Sequence, residues 1–414
     1  MSRTHTDAQR AHRLVQLAWL AIAVYLIALG AAATLRVQGD FAVYYLAGTR
    51  VLHSEPIYRL DESSHFLYAP IIAIAFAPLA ALPLHAAQFA GYLVSAVSLV
   101  ALILGSGRML FGRERQVTPA LILVPVILCA RFIDNNIEHG QINLPTLALA
   151  AWAIIRAEED RAIASGAMLA AAILIKPFAG LAALFLILEG KWRPILFSIA
   201  FGLALMIAPM LLFGPRGALD QTIAYLQVVS SMTDRYTTMQ TNQSATSAVA
   251  RLMSIGARAD APASHAALYI GTGIELALVA AVIIWFLRTP DSERQGGLLP
   301  HRFQLAAFFC IMPSLVPISW KSYYVALLVP YALLTFVLWT ERPPSSSTPT
   351  LPLALVAASV ILNWIPGTRP NHIALFFSAH FLSSLVLLAA MVLTASWWRQ
   401  SVEYRLTPAR TLNS

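Results

Sequence analysis

From Leu14 to Thr34 the chain runs without a charged side chain. Runs of this kind recur along most of its length, and they constrain the fold more than any other feature. A helix needs about 20 such residues to cross the hydrocarbon core of a bilayer. Inside a bilayer the backbone must satisfy its own polar groups, so long apolar runs fold as membrane helices. Composition agrees: 58% of the 414 residues are hydrophobic and 12% are charged. A soluble domain carries about 25% charged residues and cannot hide so much apolar surface.

The net charge of +8 does not mark a nucleic-acid-binding protein. No basic run is interleaved with aromatics on a soluble segment. Lysine and arginine instead report orientation in the membrane. Cys129 and Cys310 both lie inside apolar stretches, so no disulfide framework follows, and no Cys/His spacing fits a metal. The segment "MSRTHTDAQRAHR" precedes the first apolar run. That run is too long for the apolar region of a signal peptide, so the sequence predicts a retained anchor.

Arg3, Arg10 and Arg13 put the N-terminus in the cytoplasm, and Asp40 then emerges on the opposite side. The stretch Phe66 to Leu84 has the length of a span but holds Pro70, Pro78 and Pro83. Each proline breaks or kinks a helix. If this stretch and the cleaner one from His85 both crossed, Arg108, Arg113 and Arg115 would face outward. The proline-rich stretch is therefore expected to be a juxtamembrane element. Further spans are expected near 117–133, 141–156, 162–175, 178–190, 194–213, 265–287, 303–319, 323–339, 351–366 and 373–397. The sum is about twelve transmembrane helices with both termini cytoplasmic. Seventeen of the 28 lysines and arginines then lie inside. Seven of the remaining eleven fall in two long outer segments, Leu35–His85 and Gly214–Ser264. Long segments escape the charge rule. The expectation is one all-α domain over 1–414 in a bacterial inner membrane, its active face built from outer segments 35–85 and 214–264.

Four polar groups collect at the outer ends of these spans. They are Asp40 with Tyr44, Tyr45 and Tyr58; "DNNIEHGQIN" from Asp134 to Asn143; Lys176 before Pro177; and "TNQSATS" with "SWKSYY". Each has an ordinary structural reading. Asp40 suits the N-terminus of the helix that follows it. Lys176 can snorkel to the interface. "GQIN" reads as a polar turn, and Trp320, Tyr323 and Tyr324 as belt aromatics. "NQS" matches a glycosylation acceptor, which alone is weak evidence. Charged side chains are rare within the spans, which argues against an ion pump with a buried carboxylate relay.

Taken in order, these groups resemble glycosyltransferase family 87, the polyprenyl-phosphate-mannose-dependent mannosyltransferases of the integral-membrane C-type fold. The likeness runs from Asp40 to Pro330, through "YYLAGTRVLHSEPIY", "FLYAP", "GQIN", "GAMLAAAILIKPFAGLAALFLILEGKWR", "NQS" and "SLVPISWKSYYVALLVP". The resemblance implies a C-type architecture with juxtamembrane helices in the first outer loop. It also implies a polyprenyl-phosphate sugar donor and Asp40 as the catalytic base. Where many relatives carry histidines after the tryptophan of "SW", this chain has Ser322 and Tyr323.

The chemistry suits these residues. A hydroxyl attacking an anomeric carbon must lose a proton, and a carboxylate at about 2.6–3.2 Å can take it. A single displacement inverts the centre without an enzyme nucleophile, so one acid suffices where glycosidases use two. Asp61, Glu62, Asp134 and Glu138 are the rival acids. The leaving phosphate needs a cation: Lys176 first, then Lys321, Arg36, Arg50 and Arg59. Gln141, Asn143, Asn242 and Trp320, with Tyr45 and Tyr58, are expected to line the sugar. No metal or cofactor is required. The acceptor is expected to be a glycolipid or cell-envelope glycan. The competing class is a transporter or flippase of a lipid-linked glycan or small solute, which predicts related halves.

Overall fold

The computed structural model describes residues 2–34, 36–37, 39–112, 118–255, 263–289, 299–340, 349–367 and 371–406. Arg113 and Arg115, used above for orientation, lie outside them. Among the described residues every regular element is a helix. Six are long and apolar enough to cross a membrane: Gln9–Ala33, Leu84–Phe111, Pro119–His139, His265–Leu287, Lys321–Trp339 and Ala379–Gln400. A seventh path is a pair, Trp192–Ile207 and Pro209–Thr233, bent by 73°. The protein is a polytopic membrane protein.

Length separates full spans from shorter elements. Pro70–Ala80 has 11 residues. At about 1.5 Å per residue it reaches roughly half of the hydrocarbon thickness, as its prolines predict. The same arithmetic bears on the expected spans 162–175 and 178–190. They form two short apolar helices, Ala162–Ile175 and Pro177–Leu188, on either side of Lys176. Length alone therefore does not bring the crossings to twelve.

Backbone contacts divide the chain into two compact units, 1–123 with 130–237, and 124–129 with 238–414. The first holds α1 (Ser2–Thr34), α2 (Gly39–Leu52), α3 (Pro70–Ala80), α4 (Leu84–Phe111), most of α5 (Pro119–His139), α6 (Asn143–Glu158), α7 (Ala162–Ile175), α8 (Gly180–Leu188), α9 (Trp192–Ile207) and α10 (Pro209–Tyr236). Small residues set its closest crossings, as expected where lipid supplies no hydrophobic drive between helices. A Cβ on Gly166 of α7 would stand 2.4 Å from Phe197 Cβ of α9. One on Gly48 of α2 would stand 2.8 Å from the Phe76 backbone of α3. Between α4 and α6, Trp152 donates to the Ala101 carbonyl at 2.9 Å. Arg108 and Arg156 flank that indole and both pair with Glu159.

The second unit holds α11 (Ala245–Met253), α12 (His265–Leu287), α13 (Leu299–Ile311), α14 (Leu328–Thr335), α15 (Thr350–Trp364), α16 (Asn371–Phe376) and α17 (Ala379–Leu406). Its centre of polar order is Arg251, 1% exposed. The guanidinium donates to the carbonyls of Met239, Asn242 and Phe376 and to the hydroxyls of Ser247 and Ser378. This satisfies a buried cation with oxygen acceptors from several segments. Gly271 of α12 lies so close to α11 that a Cβ there would meet Thr246 Cα at 2.4 Å.

Candidate active site

The cluster in the first unit begins with α2, which starts at Gly39. Asp40 therefore lies in the first helical turn, where the helix dipole favours a negative charge. Its Oδ2 accepts a hydrogen bond from Gln141 Nε2 at 2.5 Å. Among the described residues no bond to Oδ1 is seen.

Gln141 is placed by a helix stop. α5 ends at His139, and Gly140 takes φ +66°. The Gln141 amide then turns back to the Asn136 carbonyl at 2.8 Å, and the Gly140 amide to Ile137 at 3.2 Å. This is the Schellman pattern, which needs a left-handed residue where glycine stands. Asn143 opens α6 and donates to Asn136 Oδ1 at 2.9 Å. It is fully buried, and its own Oδ1 has no partner among the described residues.

Lys176 is placed by a helix break. A residue before proline is driven out of the helical region, and Lys176 is extended, with φ −145° and ψ 118°. Its side chain is 2% exposed. Nζ approaches Gln141 Oε1 at 3.4 Å and lies 5.6 Å from the centre of the Tyr68 ring. A cation at that distance from an aromatic face is attracted to it.

Tyr68 is held in turn. Its hydroxyl meets that of Tyr44 at 3.0 Å, and its carbonyl accepts from Tyr58 at 2.6 Å. The Tyr44, Phe66 and Tyr68 rings pack edge-on or tilted, with centres 5.2–6.3 Å apart. Burial, and then the neighbouring Tyr225, raise the Tyr58 hydroxyl well above its usual range, so it remains a neutral donor. The connector 53–69 has no helix or strand, yet it is pinned along its length. Arg50 donates to the Ile57 carbonyl at 2.8 Å and pairs with Glu62. The Ile57 amide donates to Gln221 Oε1 at 3.1 Å.

The structure brings Asp40, Gln141 and Lys176 together, with Tyr58 one layer behind. Tyr45 lies on another face of α2 and donates to the Leu82 carbonyl at 2.8 Å. Among the rival acids, Glu62 pairs with Arg50, Asp134 accepts from Tyr25 at 2.5 Å, and Asp61 and Glu138 are exposed. Among the rival cations, Arg59 pairs with Glu55 and Arg36 is exposed.

Asn242, Trp320 and Lys321 belong to the second unit. Asn242 is fully buried, which excludes it as a glycan acceptor. Its Nδ2 donates to the Pro317 carbonyl at 2.8 Å, and its Oδ1 accepts from the amides of Ser244 and Ser319. It staples "NQS" to the segment that carries Trp320. Trp320 and Lys321 are half-buried at the start of the 3-10 turn Lys321–Leu327. Sequence reasoning missed two residues as organisers: Tyr68, whose signal was "FLYAP", and Arg251, which carried no motif.

This fold defines an integral-membrane protein, and comparison with known proteins defines its chemistry. A model of glycosyltransferase family 87 matches residues 66–303, more than half of the chain. The chain belongs to glycosyltransferase family 87, and it is a hexosyltransferase. Two relatives carry the description polyprenol-phosphate-mannose-dependent alpha-(1-2)-phosphatidylinositol mannoside mannosyltransferase. One, from Mycolicibacterium smegmatis, is 27% identical over 368 residues, covering 80% of this chain and 77% of the relative. The other, from Mycobacterium tuberculosis, is 25% identical over 390 residues, covering 87% and 80%. The enzyme reading thus prevails over the transporter one.

Proposed function

We propose that the protein transfers mannose from a polyprenyl-phosphate donor to a glycolipid or cell-envelope glycan on the extracytoplasmic face, with inversion at the anomeric carbon. The observation that carries this reading is the Asp40–Gln141–Lys176 cluster, where an acid and a buried cation share one amide. The donor named for the two relatives supports it.

The step is a single displacement. The acceptor oxygen attacks the anomeric carbon and its proton passes to Asp40. The bond from that carbon to the phosphate oxygen breaks, and the electron pair leaves with the polyprenyl monophosphate. Lys176 stabilises the charge that develops there, an effect worth most in a water-poor site. Tyr68 backs the lysine and shields it from solvent.

Transfer of labelled mannose from a polyprenyl-phosphate donor in membranes tests the reading. The wild type should give labelled glycolipid, and Asp40→Asn at equal abundance should form it about a thousandfold more slowly. A labelled product from Asp40→Asn at the wild-type rate removes the base. Movement of intact donor across the bilayer without transfer points to the transporter instead.

A further inference from the structure

We propose that Gln141 is a spacer that keeps the base and the phosphate-binding cation of this site from neutralising each other. The inference rests on the roles given above to Asp40 and Lys176.

Gln141 is 5% exposed and uses both ends of its amide. The Nε2 end donates to Asp40 Oδ2 at 2.5 Å, and the Oε1 end faces Lys176 Nζ at 3.4 Å. Only one orientation of the amide does this. Turned over, it would aim oxygen at a carboxylate and N–H at an ammonium. The amide therefore stabilises a negative charge on one side and a positive charge on the other while carrying none itself.

The alternative to such a spacer is contact. An ammonium and a carboxylate in a poorly hydrated site attract strongly, because little water screens them. Once joined, each stabilises the charge of the other. The carboxylate becomes a weaker base and the lysine is less available to a phosphate. Both roles need the charges near one another but separate, since proton and phosphate leave from opposite sides of the anomeric carbon. An interposed amide meets that need.

The backbone shows the same purpose. Gly140 reverses the chain at the end of α5, and Asn143 ties the start of α6 to Asn136 on α5. Gln141 thus sits on a three-residue turn anchored at both ends. A residue meant to follow a flexible sugar has no need of such fixing. A residue meant to hold a distance does.

The test is the binding of a polyprenyl monophosphate, the sugar-free product, to purified enzyme in lipid nanodiscs. Gln141→Ala should weaken binding about tenfold, as Asp40 closes on Lys176. Gln141→Met, which keeps the volume, should do the same and guards against collapse of the site. Asp40→Asn in the wild-type background should change affinity by less than about threefold. Adding Asp40→Asn to Gln141→Ala should restore the affinity of Asp40→Asn alone, because the partner that captured Lys176 is gone. A glutamine that only touches ligand, or only supports the fold, gives no such rescue. Unchanged binding in Gln141→Ala, or a double variant as weak as Gln141→Ala, overturns the spacer while the catalytic reading stands. Lys176→Met binding as tightly as wild type overturns the reading of Lys176, and the spacer with it.

Discussion

The Asp40 carboxylate and the Gln141 side-chain amide meet at 2.5 Å across 101 positions of sequence. The first stands in the opening turn of α2, and the second in the turn that closes α5. Two helix ends, each dictated by local chemistry, thus build one contact that no local reading contains.

Loss of the base should be severe and specific. A positioned general base contributes about 10²–10⁴-fold. Asp40→Asn should lower the transfer rate by about three orders of magnitude, while donor affinity and thermal unfolding stay near wild type. Initial rates with saturating donor, beside a fluorescence-detected melting curve, check this.

Gly140 should resist substitution. Its φ of +66° costs a residue with a Cβ about 1–2 kcal/mol. Gly140→Val should lose that much stability and a larger share of activity, because Gln141 is carried on the same turn. Activity recovered to wild type despite lower stability would separate the turn from the site.

The ion pair of Arg50 and Glu62 should hold the 53–69 connector. Their side chains are 5% and 24% exposed, and Arg50 also binds the Ile57 carbonyl. Removing one partner of a largely buried pair costs about 3 kcal/mol. Arg50→Lys should not compensate, because two acceptors are served by one planar fork. Limited proteolysis is expected to cut between 53 and 69 in both Arg50→Lys and Glu62→Gln, and not in wild type.

The crossing of α7 and α9 should be intolerant of bulk. A Cβ at Gly166 would lie 2.4 Å from Phe197 Cβ and 2.8 Å from the Ser198 amide nitrogen. Gly166→Ala should cost about 1–3 kcal/mol by overpacking, visible as a lower unfolding midpoint. Gly202→Ala, with open space around it, should not.

Much of this was legible in the sequence. Apolar runs of about twenty residues mark membrane helices whatever they pack against. The prolines of Phe66–Leu84 forecast a short element, and Pro177 forecast the break beside Lys176. What was not legible was partnership. Lys176 and Tyr68 meet only because α7 stops where it does, a tertiary fact. A polar side chain near a loop also carries no mark of its partners, and nothing local foretells that Asn242 donates to the Pro317 carbonyl. The number of crossings is not fixed by hydropathy for a related reason. Hydropathy sees apolar character but not whether a 14-residue helix such as Ala162–Ile175 stands alone or shares its path with a neighbour.

The stretch from His53 to Ala69 shows what irregular backbone can become when its ends and middle are tied down. Arg50, Gln221 and the stacked tyrosines fix it before any ligand arrives. A wall that is already set takes little ordering entropy from an incoming lipid. The cost of ordering those residues is met during folding, so a ligand that contacts them finds their backbone already in place.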